Sequence, residues 1–282
     1  QSMAGSASAG SASAGSSAAA SSSAAVAAAV DFTAMYPDSV VHFFLIGTLG
    51  MLLGALFFLF LGFRYSGNKI FHVIVFFVAA VGTASYYAMY TGIGVMNKTN
   101  DAPPRLIFWA RFVDWIITTP LILLCLALLA KANMSTTVSL IGNNILMVVV
   151  SFVGAMVLAP YKYIWWTAGM VFFAIVVVQL LIQLNEAQRT LSPGAADTLK
   201  TLTILTCLCW SVYPVVWVLG SEGIDTMKLP VEVGILCIAD WISKVGFGGF
   251  LLMQFDSFEE GADVSGTMGE TTKMLRPTSE LV

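Results

Sequence analysis

Residues 110–130 read ARFVDWIITTPLILLCLALLA. A bilayer-spanning helix needs about 20 largely apolar residues, and this stretch supplies them. It nevertheless carries Arg111 and Asp114, three residues apart and therefore on one helix face. Thr118 lies one turn beyond Asp114, and Cys125 falls on the same stripe about 16 Å along the axis. Ionisable groups inside a span are costly and usually mark function. The stretch therefore predicts a membrane helix with a functional charge near its middle.

The rest of the chain repeats the apolar signal. Seven candidate spans occupy residues 40–63, 70–96, 106–130, 134–159, 163–184, 199–219 and 231–255. Run length, and the need to satisfy every backbone group within its own segment, predict helices rather than strands. The expected fold is an all-α membrane protein, a seven-helix bundle. Of the 282 residues, 58% are hydrophobic and only 10% charged. Soluble domains carry about 25% charged residues, so a water-soluble enzyme is excluded. A net charge of −3 without a basic stripe argues against nucleic-acid binding.

Two terminal segments differ from the body, residues 36–256. Residues 1–35 are rich in Ser, Ala and Gly, with SASAG in tandem at 6–10 and 11–15. Such a leader buries too little apolar surface to offset its chain entropy and is expected to be disordered. Residues 257–282 form an acidic tail, also expected to be disordered and ill-suited to anionic headgroups. Loop bases, five against four, lean toward a cytoplasmic C-terminus: Arg64, Lys69, Lys131, Arg189 and Lys200 on its side, against Lys98, Arg105, Lys162 and Lys228. The sequons at Asn97 and Asn133 fall on opposite sides and do not decide orientation. Cys125, Cys207, Cys209 and Cys237 all sit in apolar runs and read as buried thiols. No metal site is expected from their spacing.

The seventh span adds Asp240 and Lys244, four apart and one turn along a shared face. One reading is two intramembrane ion pairs that hold helices together. The other is a protonatable centre. A buried lysine flanked by carboxylates is placed to form a Schiff base with an aldehyde, the carboxylates serving as counter-ion. Trp115, Trp166, Trp210, Tyr213, Trp217 and Tyr86 lie in different spans at similar depth. Rings around a buried cation suggest a pocket for a flat conjugated ligand.

Three runs carry a specific resemblance: ARFVDWIITTPLILL (110–124), SVYPVVWVLGSEG (211–223) and ADWISKVGFG (239–248). They resemble microbial rhodopsins of the bacteriorhodopsin pattern, over about residues 35–255. The resemblance implies all-trans retinal bound covalently to Lys244 as a protonated Schiff base. It implies Asp114 as proton acceptor and counter-ion, Asp240 as second counter-ion, and Arg111 as a switchable cation. Glu222 and Glu232 match the outward proton-release pair, and Tyr86 and Tyr213 match tyrosines bonded to the counter-ions. The retinal wall would comprise Trp115, Thr119, Ile122, Met147, Trp166, Gly169, Phe173, Trp210, Pro214 and Trp217. Two positions depart from the pattern. Cys125 stands where efficient pumps carry the cytoplasmic donor acid. Asn144 stands where many relatives carry an aspartate bonded to the Thr119 position, and a bond to Thr119 is expected to survive in altered form.

The resemblance implies a light-driven outward proton pump in a multi-pass membrane protein, a homo-oligomer like its relatives. A neutral thiol lends its proton only by leaving a poorly solvated thiolate, which predicts slow reprotonation that slows further as pH rises. Cys125 is equally readable as a small space-filler. A sensory photoreceptor with a separate transducer is the alternative. It is favoured by the missing donor acid and opposed by the intact release pair. A light-gated cation channel is less favoured, because the inner half of the third span is dry.

Overall fold

A computed structural model describes residues 36–67, 69–98 and 105–254. The expected leader, 1–35, and acidic tail, 257–282, lie outside the described residues. Among the described residues, seven helices are long and apolar enough to cross a membrane. They are α1 (Asp38–Arg64), α2 (Ile70–Tyr90), α3 (Trp109–Leu129), α4 (Met134–Met156), α5 (Tyr161–Ala187), α6 (Pro193–Leu219) and α7 (Leu229–Met253). Successive helices pack side by side, α7 returns to α1 to close the ring, and α3 also meets α6 across its centre. The outward faces expose large apolar side chains such as Leu53, Phe63, Ile164 and Leu208, as a hydrocarbon solvent requires. The chain is an integral multi-pass membrane protein.

Glycine sets the closest approaches. A Cβ on Gly47 would fall 2.2 Å from the Tyr86 ring, and one on Gly50 would fall 2.2 Å from the Trp241 ring. The two glycines thus let α1 press these aromatics of α2 and α7 against the bundle interior. Pro120 and Pro214 sit inside α3 and α6, where packed neighbours can accommodate the freed backbone groups. The seventh span is α-helical to Asp240, widens to a π turn over Trp241–Gly246, and resumes as α-helix over Phe247–Met253. Lys244 lies within that π turn, a local widening that recurs at functional sites.

The structure corrects the sequence reading in four places. The second span ends at Tyr90 instead of running to 96, because Gly92 takes a left-handed turn with φ of 77°. Strands, not helix, follow: β1 (Met96–Lys98) pairs antiparallel with β2 (Arg105–Ile107), so the third helix starts at Trp109 rather than 106. The sixth helix begins at Pro193, six residues early. Proline at the first turn is preorganised for a helix start, and that turn can stand outside the hydrocarbon. Cys207 and Cys209 are only half-buried; Cys125 and Cys237 are buried, and all four are free thiols.

Candidate functional site

The four intramembrane charges converge. Asp114 from the middle of α3 and Asp240 from α7 both approach the Lys244 ammonium, and all three are at most 2% exposed. Lys244 Nζ donates to Asp114 Oδ2, and Asp240 Oδ1 lies 3.1 Å from the same nitrogen. Asp240 is the better-held carboxylate. Tyr86 donates to its Oδ2 and Tyr213 to its Oδ1, each at 2.8 Å. Ser243 Oγ lies 3.2 Å from the Tyr213 hydroxyl. Asp114 Oδ1 has no hydrogen-bond partner, so one oxygen of this carboxylate is open to a further donor. Thr118 does not fill that role, since its hydroxyl donates to the backbone carbonyl of Asp114 at 2.9 Å.

A cavity opens beside the lysine. Its walls are Trp115, Thr119, Ile122, Met147, Val148, Ser151, Trp166, Met170, Phe173, Trp210, Tyr213, Pro214 and Trp217, with Ser243 and Lys244. Nearly every residue expected on the wall is there. Gly169 is not among the lining residues: a Cβ there would meet Ser151 Oγ at 3.1 Å, so this glycine lets α5 approach α4, and Met170 lines the cavity instead. Tyr86 also stands off the wall, because its ring packs on Gly47 and its hydroxyl is committed to Asp240. Val148, Ser151, Met170 and Ser243 were not anticipated; helical spacing from Lys244 or Met147 would have suggested only some of them. A flat apolar aldehyde fits this enclosure. The cavity is dominated by aromatic and apolar walls and reaches one primary amine paired with two carboxylates.

Asn144 Nδ2 donates to Thr119 Oγ1 at 2.7 Å, and that hydroxyl donates to the Trp115 carbonyl at 2.6 Å. The amide thus keeps α4 tied to α3 beside the cavity. Cys125 is fully buried, within the apolar cluster that includes Ile122, Leu126, Leu202 and Phe247. That surrounding is apolar.

A second charged cluster lies toward the end of the bundle that carries the β1–β2 hairpin. Arg111 Nη1 stands 3.5 Å from Glu232 Oε1 on α7, and the guanidinium lies over the Phe108 ring, 5.2 Å from its centroid. Glu232 Oε2 accepts from the Ser221 amide at 2.8 Å. Glu222, in the loop between α6 and α7, is 6% exposed, and its Oε1 has no partner. Burial pushes the Glu222 carboxyl up to about 7; Glu232 adds to the rise, and Arg111, Arg105 and Lys162 oppose it. Lys162, which the sequence presents as a loop base, is 8% exposed on the first turn of α5. Charge is thus distributed from Lys244 past Asp114 and Arg111, one helical turn nearer the hairpin, to two buried glutamates.

The chain is similar to known proteins. A family model described as Bacteriorhodopsin-like protein matches residues 38–257. Archaerhodopsin-3 of Halorubrum sodomense is 36% identical over 210 residues, covering 73% of this chain and 81% of that protein. Bacteriorhodopsin of Halobacterium salinarum is 34% identical over 228 residues, covering 80% and 87%. The crystal structure of thermophilic rhodopsin from Rubrobacter xylanophilus superposes with a TM-score of 0.74 at 33% identity, covering 78% of this chain and 97% of that one.

Proposed function

The chain belongs to the bacteriorhodopsin-like family of microbial rhodopsins, and from that premise we propose that it is a light-driven proton pump working outward, toward the hairpin end. Membership implies retinal as chromophore. The observation that carries the pump reading is the run of buried charges from Lys244 and Asp114 through Arg111 to Glu232 and Glu222. A photoreceptor needs the first pair; it has no need of buried acids at the far end.

In this reading Lys244 Nζ would hold retinal as an imine, and Trp115, Trp166, Trp210 and Trp217, which line the cavity, would enclose it. When bound, the chromophore supplies a light-driven isomerisation that changes the surroundings of the proton on that nitrogen. Asp114 accepts the proton. Its carboxylate contacts the lysine nitrogen and has a free Oδ1, whereas both oxygens of Asp240 already accept from tyrosines. Asp240, held by the two tyrosines, orients the nitrogen. Neutralising Asp114 removes a negative charge one turn from Arg111 and strengthens the guanidinium's existing contact with Glu232. That lowers the proton affinity of the Glu222 and Glu232 group, which releases a proton. The C-terminal side is then cytoplasmic, and the described bundle forms the larger part of one domain, residues 36–256. Transport of one charge against 100 mV requires about 2.3 kcal/mol, so the site must reload from the cytoplasmic side and not from outside.

That reloading is the step in which this chain departs from its relatives. Cys125 sits fully buried among leucines where a donor acid would stand. A slow return to the dark state follows, and the same observation favours a sensory role as the second reading. Cys125→Asp is expected to speed the recovery severalfold at neutral pH, read by flash photolysis. An unchanged recovery would assign Cys125 to space-filling alone.

The test of the main reading is the external pH of illuminated cells that express the chain and are supplied with retinal. Acidification that a protonophore removes is the expected result. No pH change, together with a visible band and a slow photocycle, would overturn the pump in favour of the sensor; light-gated current under voltage clamp would favour a channel.

A further inference from the structure

We propose that Lys162 is a positioning residue for proton release, pinning the backbone of the α6–α7 loop so that the Glu222 carboxyl stays out of water. The proposal takes its function from the pump reading above, although its geometry stands without it.

The Lys162 ammonium is buried in the first turn of α5. A buried ammonium needs hydrogen-bond acceptors to offset its lost hydration. It finds them in two backbone carbonyls rather than in a carboxylate. Nζ donates to Glu222 O at 3.0 Å and also to Gly223 O. The loop's own turns use different acceptors. Gly223 N donates to Gly220 O, Ile224 N to Val218 O, Asp225 N to Gly220 O, and Thr226 N to Leu219 O. These turns wind the loop against the end of α6. A Cβ on Gly223 would lie 1.9 Å from Val218 O, so only glycine fits there. The Glu222 backbone is therefore held by α6 through the turns, by α7 through the Ser221–Glu232 bond, and by α5 through Lys162.

Two roles for Lys162 predict opposite signs. The charges acting on Glu222 are Arg111 from α3, Arg105 from β2, Glu232 from α7 and Lys162 from α5, and Asp225 in the loop acts on Lys162 itself. If Lys162 acts only as one more positive charge, deleting it removes a stabiliser of the Glu222 anion and raises the titration midpoint. If it acts as a tether, deleting it lets the loop lift and hydrates the carboxyl. Burial is the largest cause of the raised value, so the midpoint then falls toward the ordinary carboxylate range.

The experiment uses the full chain with retinal in lipid nanodiscs. The Glu222 carboxyl band is followed by infrared titration in the dark, assigned by its disappearance in Glu222→Gln. Light-driven proton release is timed in parallel with a pH-sensitive dye. The unaltered protein is expected to titrate near 7, with early light-driven release lost above that pH because the carboxyl then holds no proton to give. Lys162→Met is expected to lower the midpoint by about one pH unit or more. Lys162→Arg, which keeps the donors, is expected to restore it. An unchanged or raised midpoint in Lys162→Met overturns the proposal. If that variant gives no visible band, Lys162→Gln decides. As an uncharged donor it holds the midpoint within about half a unit for a tether, and a rise beyond that overturns it. Absence of light-driven release from the unaltered chain would sink the pump reading alone, since the dark titration still decides the role of Lys162.

Discussion

Replacing Lys244 with alanine or arginine is expected to abolish the visible absorption band entirely when retinal is supplied. The side chain is 2% exposed, contacts Asp114 and Asp240, and lines the aromatic cavity. Among the described residues, no other lysine lines that cavity. Visible absorption by retinal needs a protonated imine, because the free aldehyde lacks the positive charge that narrows its excitation gap. The two substitutions separate chemistry from folding. Alanine leaves two buried carboxylates without their cation, and breaking a buried pair costs about 3–5 kcal/mol. Arginine keeps the charge but does not condense with an aldehyde, so a folded, thermally stable, colourless protein is its expected outcome. The check is an absorption spectrum beside a thermal melt. A visible band surviving in the arginine variant would remove Lys244 from the attachment role.

Asp114→Asn is expected to move the band to longer wavelength and to suppress light-driven acidification at least ~10²-fold, the scale of losing a positioned proton-transfer group. The wavelength shift follows from the contact of Asp114 Oδ2 with the lysine nitrogen. A negative charge beside the nitrogen stabilises the ground state, in which positive charge is concentrated there, more than the excited state, in which it has spread along the chain. The fold should persist, because Asp240 remains 3.1 Å from the nitrogen and keeps both tyrosine donors. Spectra and a pH electrode on illuminated cells check both halves. Undiminished acidification would assign acceptance to another group. Asp240→Asn should behave differently: it strands the Tyr86 and Tyr213 hydroxyls and so disturbs the geometry of the site as well as its charge.

Seven spans were legible in the sequence because the hydrocarbon of a bilayer imposes a length and a composition that no packing detail can override. Helical periodicity alone put Arg111 with Asp114, and Asp240 with Lys244, on common faces, but the ion pair of Arg111 runs to Glu232 on α7. Three-dimensional packing decided the rest. Which carboxylate would be held and which left open depended on Tyr86 and Tyr213 reaching Asp240 from α2 and α6, and on Thr118 turning to its own backbone. The hairpin of β1 and β2 escaped a reading based on apolar runs because its strands are three residues each and pair across a gap in sequence. The resemblance put Gly169 on the cavity wall, whereas the fold uses it for the approach of α5 to α4, because a residue without a side chain gives no direction. Lys162 shows the limit most plainly. By sequence it is a loop base of the kind that counts toward topology; the fold buries it against two carbonyls 60 and 61 residues away. Local periodicity places a charge on a helix, but the partner that gives it a role is chosen by chain segments that meet only when the bundle closes.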